Sequence, residues 1–480
     1  MKKIWYWFDK KEIIILRCLP LIPVFLAAKD QPKPNILFII ADDLRPELGC
    51  YGVEAIKTPH IDRLAEESIL FGNAYCNAPV SGASRASMLT GLYPELPTKR
   101  FTHAYSYAQK DAPDAVPVSQ WFSDHGYYTI SNGKIFHNVD DHAGSWSEPP
   151  WRVNMEGYES HWAVYNKWEL WMSDVSGRTI HPKTMRGPFY EYADVPDSAY
   201  EDGKVALRTI EDLRRLKKQD KPFFLACGFW RPHLPFNAPK KYWDIYKRES
   251  IPIADNNYRS ENLPDQVKAP TEINSYGGVS DKNLENFQRL AKHGYYACVS
   301  YIDAQVGLIL EELDSLSLSE NTIVVLVGDH GWHLGENSFW GKHTLLKRSL
   351  HIPLIIKVPG SEKGNIFSMV ELVDLYPTLC DLTGLPHPAD QLQGKSFAPA
   401  FHNLNYTTKE IVFAQWGNGS TALNNRYSYT KWMKDGMKEN EMFFDHKKDP
   451  NENENVATDG SYKPIIKYLS DFLDYIRSKI

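Results

Sequence analysis

A chain of 480 residues, 42% hydrophobic and 24% charged, is long enough for a large buried core and ordinary in balance for a globular protein. Its 54 basic and 60 acidic side chains leave a net charge of −6 with no basic footprint, which points away from nucleic acid as a partner. The 14 Trp and 27 Tyr suit a glycan-facing surface and a large core equally, so they select neither.

The N-terminus joins Lys2, Lys3, Lys10 and Lys11 to an apolar run from Ile13 to Ala28. Arg17 interrupts that run, which is short for a membrane span. Closing on the small pair Ala27-Ala28, the pattern predicts a secretory signal over residues 1–28, with no stable membrane insertion after its removal. Cys18 would leave with the signal; Cys50, Cys76, Cys227, Cys298 and Cys380 show neither CxxC nor metal-ligand spacing, so at most one or two bridges could form.

Pro34 to Ile40 (PNILFII) reads as a buried parallel strand, and it ends in Asp42-Asp43. Adjacent carboxylates repel unless a cation holds them, and a solvated turn is the competing reading. Thr58 to Leu70 starts with Thr-Pro and continues at helical spacing. Ser81-Gly82-Ala83-Ser84-Arg85, running on to Thr90-Gly91, opens a second predicted helix with Ser81 as its N-cap and Arg85 one turn later on the same face. Helix start and guanidinium together make an anion site possible. Tyr127–Ile130 reads as a strand that delivers Lys134 and His137.

From about Asp140 to Val195 the chain is Trp-, Pro- and Gly-rich without periodicity, a long insertion of the kind that tends to be functional. A helix over Ala199 to Leu216 precedes the strand FFLACGF, which ends in Trp230-Arg231-Pro232-His233. Asn283 to Leu316 is a long helix. Thr322 to Val327 (TIVVLV) repeats the pattern of the first strand and delivers Asp329 and His330, with Lys342 thirteen residues beyond Asp329. Ligand sites in open α/β sheets lie at the carboxyl ends of strands, so two such ends carrying Asp42, Asp43, Asp329 and His330 make a cation site chemically sensible. After about Phe401 shorter strands predict a smaller antiparallel subdomain: a hairpin of Arg426–Trp432 with Glu441–Asp445, and a closing helix from Tyr462.

These stretches together resemble the type I sulfatase family of the alkaline phosphatase superfamily. The signature is Ser81-x-Ala83-x-Arg85-x4-Thr90-Gly91. ADDLRPELGCYG, GKIFH, RPHLPF, YYACVSYIDAQVG and GDHGWHLGE are similar to the iduronate-2-sulfatase subgroup. The resemblance implies an α/β, alkaline-phosphatase-like sandwich with a large mixed, mainly parallel sheet between helices, a catalytic region over 33–380 and an α+β subdomain over 381–480. It implies a calcium site of Asp42, Asp43, Asp329 and His330, completed by Ser81 after its oxidation to formylglycine, whose hydrate is the nucleophile. Arg85 and Lys134 would hold that group, and Lys134 and Lys342 would offset sulfate charge. His137 would help to regenerate the aldehyde, while His233 would protonate the leaving alcohol.

Ser rather than Cys at position 81 resembles bacterial members matured by a radical-SAM enzyme, which with the signal implies a periplasmic protein. The implied activity is removal of 2-O-sulfate from a uronic acid at the non-reducing end of glycosaminoglycan oligosaccharides, heparan or heparin and also chondroitin or dermatan. Lys99, Arg100, His103, Trp332 and His333 are candidates for the sugar and its carboxylate. A phosphate or phosphonate monoesterase on the same fold is one alternative; a non-catalytic glycan-binding protein, should Ser81 stay unmodified, is another.

Overall fold

The apolar run ahead of Asp42 lies in the interior of the main sheet. That sheet comprises β1 (Asn35–Asp42), β2 (Ile69–Phe71), β3 (Tyr128–Gly133), β4 (Phe223–Pro232), β5 (Thr322–Gly328), β6 (Leu354–Lys357) and β7 (Gly364–Ile366). Their spatial order is β7-β2-β6-β5-β1-β4-β3. Parallel pairing joins β1 to β4 and β5, β3 to β4, and β7 to β2, whereas β6 runs antiparallel to its two neighbours. The computed structural model describes residues 33–153 and 180–480. The predicted signal and residues 154–179 of the predicted insertion lie outside the described residues.

Successive residues of β1 feed opposite cores. Ile36, Phe38 and Ile40 pack with Phe224 and Val325, while Leu37 and Ile39 pack with Leu225 and Val324. Both faces are covered by helices, so the strand reads as continuously apolar instead of alternating. The helices are α1 (Pro59–Glu66), α2 (Ser81–Thr90), α3 (Glu201–Leu216), α4 (Glu285–Ser315), α5 (Leu375–Thr383) and α6 (Lys463–Arg477). Ala83 and Met88 of α2 and Leu379 of α5 join the first core; Ile61 of α1, Val205 of α3 and Tyr295 of α4 join the second. Burying each large apolar side chain contributes about 1.5–3 kcal/mol relative to exposure.

An antiparallel sheet of β8 (Val412–Trp416), β9 (Gly419–Leu423), β10 (Tyr427–Lys434) and β11 (Met437–Asp445) follows, covered by Leu469 and Leu473 of α6. The predicted hairpin is present and longer than expected. Asp435 (φ 51°) and Gly436 (φ 78°) form a two-residue left-handed loop between paired Lys434 and Met437, so the ladder runs to the turn itself. The five described cysteines are all free thiols, four of them buried as core residues. Among the described residues no helix is long and apolar enough to cross a membrane.

Register places the site. Ala41 of β1 is level with Gly328 of β5 and Phe229 of β4, and Gly133 of β3 is level with Gly228. The carboxyl ends of these four strands therefore reach one edge together. Gly133 turns the chain there at φ 70°, and a Cβ on it would lie 2.1 Å from the Gly228 carbonyl oxygen, so only glycine fits.

Candidate active site

Asp42 and Asp43 leave β1 in a sharp turn, with Asp43 in the left-handed region at φ 61°. The Tyr295 hydroxyl pins that turn by donating to the Asp43 carbonyl at 2.9 Å and accepting from the Arg45 N–H at 3.1 Å. Beneath it, buried Arg45 pairs with Glu47 and Glu336 at 2.6 and 2.7 Å. From β5, Asp329 Oδ1 accepts from the Asp43 N–H at 3.1 Å. His330 is oriented through Nδ1, 3.0 Å from the Gly331 carbonyl; because a carbonyl only accepts, Nδ1 carries the hydrogen and the Nε2 lone pair faces the acids. Ligand atoms of Asp42, Asp43, Asp329 and His330 all lie within 4.8 Å of one another, and all four residues are buried.

Ser81 opens α2 beneath this cluster. The expected N-cap role is not observed: Val80 is the N-cap, and Ser81 is the first helical residue. Its hydroxyl turns instead to Asp42 Oδ1 at 2.8 Å and His330 Nε2 at 3.0 Å. The reason is tertiary, since β1 and β5 bring Asp42 and His330 within hydrogen-bond distance of the hydroxyl. Arg85, on the same helix face, donates Nε–H to Asp329 Oδ2 at 2.8 Å and Nη1–H to the carbonyls of Lys134 and Ile135. A Cβ on Gly82 would lie 2.2 Å from the Ala104 carbonyl oxygen, so the helix start packs directly on the 104–106 loop.

Cations surround the acids. Lys134 Nζ bonds Asp42 Oδ2 and lies 4.5 Å from the Trp230 ring centroid; Lys342 Nζ lies 2.6 Å from Asp43 Oδ1. Burial alone would push Asp42 up, but Lys134, then His233, Arg85 and Lys342, outweigh it and hold the carboxyl well below its usual range. For Asp43 burial wins over His233 and Lys342, and its pKa is pushed up to about 7. Burial lowers His330 to about 4 and carries His137 well below its usual value, so both are neutral imidazoles at physiological pH. Lys134 is pulled down by burial, whereas Asp43, Glu272 and Asp42 overcome burial to raise Lys342.

Above Ser81 opens a cavity of about 260 Å³ lined by Ser81, Lys134, His137, His233 and Lys342 together with Glu272. Tyr105, Arg186, Trp230 and Tyr276 form more of its wall. Clefts of about 700 and 590 Å³ lie elsewhere on the described residues, but neither is lined by Ser81, Lys134 or Lys342, so chemistry and not size marks the site.

The sequence candidates for the sugar itself are placed elsewhere. Lys99 is exposed in a turn, and Arg100 donates to the Tyr93 carbonyl, pairs with Glu95 at 3.4 Å and lines a separate cleft. His103 Nδ1 accepts from the Tyr105 N–H at 3.2 Å. Trp332 and His333 are wholly buried; the Trp332 ring lies 5.4 Å under Lys342 Nζ, and His333 bonds Thr344 at 3.0 Å. None of the five lines the cavity among the described residues. Turn geometry takes the first three away, and the side chain beneath Lys342 supports that ammonium from below.

Glu272 and Arg186 were missed from sequence. Glu272 opens a single 3-10 turn, Glu272–Ser275, after an aperiodic stretch of sequence that gives no local signal. Arg186 falls in the long aperiodic insertion, whose length is the one sequence signal it carries.

The residues present fit a divalent cation. Asp43 Oδ2 is buried with no hydrogen-bond partner, the neighbouring acids repel one another, and the His330 lone pair points inward. A cation at this point would satisfy the orphan oxygen and reverse the upward push on Asp43.

Acid-rich strand ends, a helix-borne Ser-x-Ala-x-Arg signature and two lysines over one hydroxyl define a class of ester hydrolase. The chain belongs to the sulfatase family, whose model matches residues 34–385; that of the N-sulphoglucosamine sulphohydrolase C-terminal region matches residues 335–479. It is 34% identical to iduronate 2-sulfatase of Mus musculus over 409 residues, covering 77% of this chain and 71% of that protein. Two solved structures share the fold. A 2-O GAG sulfatase superposes with TM-score 0.68 at 22% identity, over 93% of this chain and 92% of that one. The phosphonate monoester hydrolase of Agrobacterium radiobacter superposes with TM-score 0.74 at 20% identity, over 93% and 96%.

Proposed function

We propose that the enzyme hydrolyses the 2-O-sulfate of a uronic acid at the non-reducing end of glycosaminoglycan oligosaccharides, with Ser81 oxidised to formylglycine. The observation that carries this reading is the Ser81 hydroxyl, held 2.8 Å from Asp42 and 3.0 Å from His330 under a cavity that carries Lys134 and Lys342. The likeness to iduronate 2-sulfatase supports the uronate and the position of the sulfate.

Asp42, Asp43, Asp329 and His330 would hold calcium, which the predominance of carboxylate oxygens suits. When bound, such an ion lowers the pKa of an adjacent hydroxyl and polarises a sulfuryl oxygen. With Ser81 oxidised and hydrated, position 81 would supply the attacking oxygen. Lys134 and Lys342 face the sulfuryl oxygens and offset their charge. His233 gives its Nε2 proton to the bridging oxygen: an N–H bond breaks, an O–H bond forms, and the electron pair of the S–O bond stays on the departing alcohol. His137, neutral in its buried setting, is placed to accept a proton from the group at position 81. Arg186, stacked 5.0 Å from the Tyr276 ring centroid on the cavity wall, would serve as a cationic partner for a uronate carboxylate.

The maturation is a two-electron oxidation of the Ser81 side chain by a radical-SAM enzyme, with S-adenosylmethionine as oxidant, and the N-terminal pattern supports export to a periplasm. The test is direct. Mass spectrometry of the Ser81 peptide from enzyme co-produced with such a maturase is expected to show the loss of two hydrogens. The same preparation is expected to release sulfate from a 2-O-sulfated uronate disaccharide, and to prefer sulfate over matched phosphate and phosphonate esters. An unmodified Ser81 in active enzyme, or a clear phosphonate preference, overturns the reading.

A further inference from the structure

A pocket built to bind a sulfate ester carries a carboxylate. Glu272 is the one acid among the described residues lining the cavity, and a negative side chain facing an anionic substrate is costly unless it does something else. Its contacts say what. Oε1 lies 3.1 Å from His233 Nε2, and Oε2 lies 3.6 Å from Lys342 Nζ. Lys342 and His233 outweigh burial and hold the carboxyl well below its usual range, so it is ionised throughout the working range.

The second contact of His233 completes the argument. Nδ1 lies 2.6 Å from the Leu234 carbonyl, an acceptor with no hydrogen to give. With an oxygen acceptor at each nitrogen, the ring's orientation is fixed, with Nε2 facing Glu272 and the cavity. Glu272 thus joins the imidazole edge on one side to the Lys342 ammonium on the other. Charge-assisted bonds of this kind fix geometry more tightly than neutral ones.

We propose that Glu272 is a positioning residue for ester cleavage, acting through His233: it keeps the Nε2–H aimed where the bridging oxygen arrives and yields that hydrogen bond to the oxygen. This rests on the sulfatase reading of the site above. The chemical consequence is selective. A sugar alcohol is a poor leaving group and needs its proton as the S–O bond breaks, whereas a nitrophenolate leaves without one. Positioning a proton donor therefore matters for the first ester and hardly for the second.

The experiment compares Glu272→Gln and His233→Ala with the mature wild-type enzyme on a 2-O-sulfated uronate disaccharide and on para-nitrophenyl sulfate. Glu272→Gln is expected to lower kcat on the disaccharide by roughly 10–100-fold, at or below the lower end of the range for proton-transfer catalysis because His233 itself remains, with KM changed by less than about threefold. Turnover of para-nitrophenyl sulfate should stay within about twofold, which also reports an intact fold and metal site. His233→Ala should show the same leaving-group dependence, and the double variant should be no slower than His233→Ala alone. Equal losses on both esters, or no loss on either, for Glu272→Gln would overturn the positioning role while the sulfatase reading stands. A wild-type enzyme that releases sulfate from neither ester would instead remove that reading.

Discussion

Arg85 Nε donates to Asp329 Oδ2 at 2.8 Å, and neither side chain is reached by solvent. The pair ties the signature helix to the end of β5, so one residue of the sequence motif holds a member of the acid cluster in place. Removing one partner leaves a buried charge uncompensated, at a cost of about 3–5 kcal/mol. Arg85→Leu is therefore expected to lower the unfolding free energy by that amount, read from urea unfolding. A variant as stable as the wild type would show that the ion pair does not anchor the site.

Ser81 is buried, and its hydroxyl is the group the chemistry consumes. Ser81→Ala removes one oxygen and leaves the α2 packing unchanged, so turnover should vanish while the melting temperature stays within a few degrees. Parallel assays of sulfate release and circular dichroism melting check both halves. Substantial residual turnover would contradict the assignment of Ser81 as the nucleophile precursor.

Asp43 Oδ2 has no hydrogen-bond partner, although the side chain is wholly buried. Calcium should fill that vacancy in the bonding scheme and stabilise the fold, by about 2.7 kcal/mol at a hundred times its dissociation constant. Chelation should lower the melting temperature and calcium restore it. Asp43→Asn should weaken calcium binding in a calorimetric titration by at least about tenfold, one full charge being lost from the donor set. A melting temperature indifferent to calcium and chelator would count against the site.

Arg186 donates to Ser275 Oγ at 2.7 Å and reaches the cavity beside Tyr276. As the partner of a uronate carboxylate, it should affect binding more than chemistry. Arg186→Ala is expected to raise KM for the sulfated uronate disaccharide about 10-fold or more, a charge-assisted contact being worth about 1.5–3 kcal/mol. The KM for para-nitrophenyl sulfate, which has no carboxylate, should barely move. Equal changes in both would rule out carboxylate recognition.

Stability at low pH should depend on the buried group behind the Asp42–Asp43 turn. Burial would raise Glu47, but Arg45, then Lys292, outweigh it and bring its pKa from 4.5 to about 2. A carboxyl depressed in the folded state contributes stability that is complete above 4.5 and is lost as pH falls toward 2. Unfolding free energy should therefore drop across that window, and Glu47→Gln should flatten the part of the slope that Glu47 supplies. An unchanged slope in the variant would show that Glu47 does not carry it.

Much of this was legible in the chain itself. Two apolar runs buried on both faces, each ending in acid or imidazole, fix two parallel strands and what they present at one edge, because strand polarity alone decides which end faces the ligand. The signature at Ser81 and Arg85, the positions of Lys134, His137 and His233 beyond predicted strands, and Lys342 further along, likewise needed only local pattern and family resemblance. Tertiary structure decided what depends on distance between remote segments. It drew the Ser81 hydroxyl from its predicted cap to Asp42 and His330, 39 and 249 residues away. It sent Trp332 under a lysine instead of toward a sugar, and brought Glu272 and Arg186 to the cavity from loops without periodicity. A repeating pattern records which face of an element is buried; it carries nothing about which loop residue from elsewhere comes to lie against that face.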